Sequence, residues 1–72
     1  MSENEKITLL EEVFDVEEGT LKPEMQLSEI EEFDSMTKLS LIVMVDEKFG
    51  KTITGTDING FKTIQDIMDI MF

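Results

Sequence analysis

The chain contains neither histidine nor cysteine. Without histidine it lacks the commonest general base near neutral pH and the commonest zinc ligand. Without cysteine it has no disulfide and no thiolate metal site. No apolar run is long enough to span a membrane. The opening residues, Met1 to Lys6, have neither the basic start nor the apolar stretch of a secretory signal, so a cytoplasmic location is expected. Nothing alternates long enough to form a strand, and there is no internal repeat or low-complexity segment. Basic residues are also scarce: six lysines face seventeen acids, for a net charge of −11. Such a field repels nucleic acid and anionic lipid and attracts basic surfaces on protein partners. The expectation is therefore no nucleic acid, no membrane insertion, and partners with basic patches.

What is present is periodic apolar sequence, 40% of a 72-residue chain. That argues against disorder and for one small domain over 1–72. Ile7, Leu10 and Phe14 recur at helical spacing, with Leu9 and Val13 beside them, and Glu3 and Glu5 stand where a helix dipole favours acids. The spacing predicts a helix over 3–14, capped by Ser2 or Asn4, with Gly19 beyond its end. Residues 15–34 read as a long loop broken by Gly19 and Pro23 and pinned to the core by Val16, Leu21, Leu27, Ile30 and Phe33. A single helical turn is expected over 28–32. The strongest helical pattern follows, over 35–49, with Leu41, Ile42, Val45 and Phe49 as its core stripe and Gly50 as its stop. Met36, Leu39 and Val43 fall on another side, so this helix carries more apolar surface than one core needs. Lys38, Asp46, Glu47 and Lys48 supply its polar positions. Ile53 enters the core from the next connection. A very short helix over 57–60 is expected from an Asp57 cap, and a last one over 63–71 from a Thr63 cap and the Ile64, Ile67, Met68, Met71 stripe. The fold class is all-α: a small four-helix bundle with three main helices, a short third helix and a long first loop.

Chemistry has few places to reside. Adjacent acids such as Glu11-Glu12, Glu17-Glu18 and Glu31-Glu32 follow from composition rather than from an acid–base pair. Asp57, Asn59, Gly60 and Asp66 lie close together, but counting back from Gly60 puts Gly55 at the first position of a calcium loop, where an acid is required. No metal is expected, and no enzyme, because no base–nucleophile pair exists. The methionines Met25, Met44, Met68 and Met71 read as core filler and helix ends, while Met36 reads as an exposed contact.

Ser35 is the informative residue. It stands where the loop gives way to the 35–49 helix. Asp34 fills the capping role and leaves Ser35 free in the first turn. An anion esterified there would meet free backbone N–H groups and the favourable end of the helix dipole. Asp34-Ser35-Met36, followed by Leu39, Leu41-Ile42, Val45 and Phe49, resembles the acyl carrier proteins and the related peptidyl and D-alanyl carriers, whose signature is Asp-Ser-Leu or Asp-Ser-Met at the start of the second helix. Leu27, Phe49-Gly50 with Ile53, and Thr63-Ile64 with Asp66-Ile67 extend the similarity over nearly the whole chain.

The resemblance implies a monomeric carrier rather than an enzyme, with 4′-phosphopantetheine transferred from coenzyme A to Ser35 by a phosphopantetheinyl transferase, and Asp34 and Met36 flanking it. The cofactor's thiol would hold acyl cargo as a thioester, which accounts for thioester chemistry in a chain without cysteine. Partners would be acyl- or aminoacyl-activating enzymes and synthases or transferases with basic patches. They would be met by Met36, Leu39 and Val43 as an apolar strip, with Asp34, Asp46 and Glu47 as charged guides. Where many fatty-acid carriers have Leu-Gly-x before the signature, this chain has Glu31-Glu32-Phe33, and Thr37, Lys38 and Ser40 stand in place of common acids. That pattern is closer to stand-alone carriers of specialised, including polyketide, pathways than to housekeeping fatty acid biosynthesis. An aminoacyl, D-alanyl or peptidyl carrier is the alternative within the family. An unmodified acidic interaction module is the alternative of another class.

Overall fold

Each helix begins at a side chain that satisfies otherwise orphaned backbone N–H groups. In the computed structural model, which describes residues 2–72, α1 spans Glu3–Phe14, α2 Ser35–Phe49, α3 Gly55–Gly60 and α4 Ile64–Met68. Ser2 caps α1: its hydroxyl accepts from the Glu5 N–H, and the Glu5 carboxylate accepts from the Ser2 N–H. Thr54 with Asp57, and Thr63 with Asp66, repeat the same reciprocal arrangement at α3 and α4. This corrects the expected start of α3. Asp57 is not its cap but its third residue, reaching back 2.9 Å to the Thr54 N–H, so the helix opens at Gly55.

The end of α4 also differs from the expected 63–71. Regular winding stops at Met68, and the chain tightens into bonds three residues apart, Ile70 to Ile67 and Met71 to Met68. Met71 stays fully buried through that tighter turn. Lysines from distant segments donate to two carbonyls at this end of the chain, Lys6 Nζ to Met68 and Lys51 Nζ to Ile70. α1 ends at Phe14, as its spacing predicts. Asp15, at φ 58°, is its left-handed terminator, and its N–H returns to the Glu11 and Glu12 carbonyls.

The long loop, 15–34, is folded onto the bundle. Leu21, Leu27 and Ile30 are buried, and Val16 and Phe33 pack against the core from partly covered positions. The expected helical turn is a short 3-10 turn over Leu27–Glu29. Backbone ties hold the rest. Leu27 donates to the Lys62 carbonyl, Ile64 to Met25 and Gln65 to Pro23, so the loop runs antiparallel to the entry of α4, with an isolated bridge between Gln26 and Thr63. Glu11, read from sequence as one of many composition-driven acids, is 3% exposed. Its Oε2 accepts the N–H groups of Gly19 at 2.8 Å and Leu21 at 3.0 Å, clasping the loop to α1.

The core joins Leu10 and Phe14 of α1, Leu41, Met44 and Val45 of α2, Ile53, Ile58 of α3 and Ile64, Ile67, Met68 and Met71 at the end of the chain. Met44 is buried there although it lies off the stripe read from the sequence, whereas Ile42 and Phe49 are half-covered. α1 packs against both α2 and α4. The radius of gyration, 10.9 Å, matches the ~11 Å expected of a folded chain of this length, which requires the loop to lie on the bundle. Among the described residues no helix is long and apolar enough to cross a membrane.

Candidate functional site

The chain reaches the head of α2 under several constraints. Phe33 stacks on Phe14 of α1 with ring centres 5.4 Å apart. Its N–H donates to the Ile30 carbonyl, and the Asp34 N–H donates to Glu32. Asp34 then caps the helix in extended geometry, its Oδ1 accepting the Thr37 N–H at 2.9 Å. The Thr37 N–H, foremost among its partners, holds the Asp34 carboxyl below its ordinary range. The same bond orients the carboxylate. Thr37 is buried, and its hydroxyl donates to the Glu32 carbonyl at 2.6 Å. In the sequence pattern Thr37 only stands in place of a common acid. Its role is to tie the first turn of α2 to the segment that enters it.

Between these anchors Ser35 is the first residue of α2 and is exposed. The cap is made by Asp34, so the serine hydroxyl is not needed for it. An exposed hydroxyl on a rigidly entered 15-residue helix is what covalent attachment of a bulky phosphate ester requires. The residues present therefore fit such a group.

The flanking residues separate into two sets. Met36, Leu39 and Val43 are 78%, 64% and 53% exposed, and grouped exposure of this kind, unlike a single exposed apolar residue, marks interaction surfaces. Their spacing of three and four residues puts them along one face of α2. Asp46 and Glu47 are exposed one turn further on. Leu39, Val43 and Glu47 meet Leu9, Glu12 and Val13 of α1 around a surface groove of about 440 Å³. Met36 and Asp46 lie outside that groove. Leu9 and Val13, which sequence placed only beside the α1 core stripe, are thus half-covered walls of it. On the opposite flank, Lys38 lies over the Phe33 ring, 5.4 Å from its centre. Among the described residues no cluster of acids is arranged to hold a metal ion.

Residues 7–71 match the family model described as "Phosphopantetheine attachment site". The chain is similar to an acyl carrier protein of Myxococcus xanthus, 27% identical over 97% of this chain and 94% of that protein. It is equally similar to an acyl carrier protein of Micrococcus luteus, 27% identical over 97% of this chain and 91% of that protein. No solved structure matches the chain significantly. Proteins of this family are carriers rather than catalysts, and their cofactor is covalently attached 4′-phosphopantetheine. With that family's model matched over 7–71 of its 72 residues, the chain belongs to the acyl carrier protein family of phosphopantetheine-bearing carriers.

Proposed function

We propose that this carrier bears its phosphopantetheine on Ser35 and presents acyl cargo to successive enzymes of a specialised pathway. The observation that carries the assignment is the exposed hydroxyl at the first position of α2, left free by the Asp34 cap and held in place through Thr37 and Phe33. Attached there, the group supplies the thiol that the chain lacks and holds cargo as a thioester. The protein's own contribution is positional. Asp34 fixes the helix start and adds charge beside the ester, and Thr37 holds the entering backbone. Met36, Leu39 and Val43 offer apolar contact to the enzymes that meet the arm.

Acyl rather than aminoacyl cargo is supported by the names of the two aligned relatives. Specialised service is supported by Glu31-Glu32-Phe33 ahead of the serine and by Thr37, Lys38 and Ser40 behind it. The partners in this reading are a phosphopantetheinyl transferase, an acyl-activating enzyme and the synthases or transferases that use the cargo.

Intact-mass measurement after incubation with coenzyme A and a broad-specificity transferase tests the attachment. The expected result is one added phosphopantetheine, absent from Ser35→Ala. No added mass, or addition that survives Ser35→Ala, overturns the assignment. Loading of the modified chain by acyl-activating but not aminoacyl-activating enzymes is the expected result for cargo, and the reverse overturns the acyl reading.

A further inference from the structure

Lys38 is the only basic residue between Lys22 and Lys48. Its side chain is half-buried, with the ammonium over the Phe33 ring. Together with Phe33, Ile30 and Phe61, and with the polar Ser28 and Asn59, it lines an open surface cavity of about 290 Å³ between the loop, α2 and α3. In the unmodified chain, then, the Lys38 ammonium rests on an aromatic face at the edge of that cavity.

Lys38 also follows Ser35 by three positions, and residues three apart are neighbours on a helix surface. We infer that a phosphodiester on Ser35 draws the Lys38 ammonium off the Phe33 ring and pairs with it. The inference rests on the attachment proposed above. A ring attracts an ammonium through its quadrupole alone, whereas a phosphodiester offers a full charge and charge-assisted hydrogen bonds, the stronger partner of the two. Lys38 also stands near the positive end of the α2 dipole, which disfavours a cation and is relieved by an adjacent anion. The surrounding exposed acids Glu31, Glu32 and Asp34 repel the added negative charge, so Lys38, the one lysine in the first turns of α2, is the residue that offsets it. Modification therefore uncovers Phe33 and one wall of the cavity beside it, and partner enzymes meet different surfaces on the two forms of the chain.

Nuclear magnetic resonance of the full chain, before and after treatment with coenzyme A and a transferase, tests this. Peptide mass mapping first establishes whether Ser35 is modified. In the unmodified chain the Phe33 ring current displaces the Lys38 ε-methylene protons, and Phe33→Leu supplies the undisplaced reference. On modification most of that displacement is expected to disappear. Lys38→Gln is expected to move the phosphorus resonance of the modified chain, and Lys48→Gln to leave it in place. If Lys38 stays displaced in a chain mapped as modified at Ser35, or if Lys38→Gln leaves the phosphorus resonance unchanged, the role of Lys38 is overturned and the carrier assignment stands. If Ser35 takes no modification, both are overturned.

Discussion

The Thr37 hydroxyl donates to the Glu32 carbonyl at 2.6 Å, joining the first turn of α2 to the segment that delivers Ser35. Thr37→Val keeps the shape of the side chain and removes the donor. The expected cost is about 1 kcal/mol, the usual worth of such a bond when its partner keeps some access to water. Urea unfolding should show a lower midpoint with an unchanged slope, and Thr37→Ser should restore most of the loss. A loss in Thr37→Ser with none in Thr37→Val would mean that the methyl group, not the hydrogen bond, matters.

Glu11 makes the larger contribution to holding the loop. Its buried carboxylate accepts the N–H groups of Gly19 and Leu21, and hydrogen bonds to a charged acceptor are worth more than neutral ones. Glu11→Ala should cost about 2–3 kcal/mol, a large share of the roughly 4–11 kcal/mol available to a domain of this size. Glu11→Gln, which keeps one acceptor oxygen, should lose less. Amide exchange at Gly19 and Leu21 should accelerate before exchange in the core of α2 does. Uniform acceleration across the chain would show that Glu11 supports the whole fold rather than the loop.

These two residues mark where sequence reasoning stops. The helices were legible because apolar periodicity and capping residues are local signals: Ser2, Asp34 and Thr63 each lie at the head of the helix they start. The loop's apolar anchors were legible for the same reason, since an isolated Leu21 or Leu27 in polar sequence needs a core to enter. The loop's polar attachments were not. Glu11 is one of seventeen acids, and nothing in its neighbours distinguishes it until the loop folds back ten residues later. The pairing of Gln26 with Thr63 links residues far apart in sequence through backbone groups that every residue possesses. Of the proposed site, the Asp34 cap and the exposure of Ser35, Met36, Leu39 and Val43 were legible from α2 alone. The groove wall from Leu9 and Val13, and the seat of Lys38 on Phe33, required the packing of other segments.

The capping carboxylates give stability a defined pH dependence. Asp66 is held below its ordinary value of 3.8 first by the Lys62 N–H and then by the Thr63 N–H. A carboxyl with a lowered native pKa binds protons more readily in the unfolded chain. Its contribution is therefore complete above the unfolded value and is lost as pH falls through the lowered native value. Asp34 and Glu5 share this sign. The stability gap between wild type and Asp66→Asn should be constant near neutrality and close as pH drops below 3.8. A gap that widens in acid would contradict the capping role. Comparing the two proteins at each pH removes the opposite trend from relieved self-repulsion of the net charge of −11.

Asp15 offers a stabilising change. It adopts φ 58°, a conformation that glycine reaches without strain, and places a negative charge at the carboxyl end of α1. Asp15→Gly should stabilise by about 0.5–1 kcal/mol, net of the entropy that glycine adds to the unfolded chain. Asp15→Asn removes the charge alone, and a gain in Asn equal to that in Gly would assign the whole effect to the helix dipole. Thermal unfolding of the three proteins side by side measures this.

The proposed partner surface divides into a charged part and an apolar part, and the two should act on different steps. Asp46 and Glu47 are exposed, Asp46 outside the groove and Glu47 at it. Such charges guide encounter over distances up to a Debye length, about 10 Å at 0.1 M salt, and contribute little once the partners are docked. Reversing both to lysine should slow association with the transferase at low salt, leave dissociation nearly unchanged and leave unfolding within about 0.5 kcal/mol of wild type. Leu39 and Val43 lie on the groove shared with α1, where contact forms only after docking. Leu39→Ser and Val43→Thr should instead speed dissociation and leave the association rate within a factor of about three. Stopped-flow rates at two salt concentrations separate these outcomes. Unchanged association by the Asp46→Lys, Glu47→Lys protein at low salt would remove the charged guides from the proposal, and unchanged dissociation by the Leu39 and Val43 variants would move the contact surface off this face of α2.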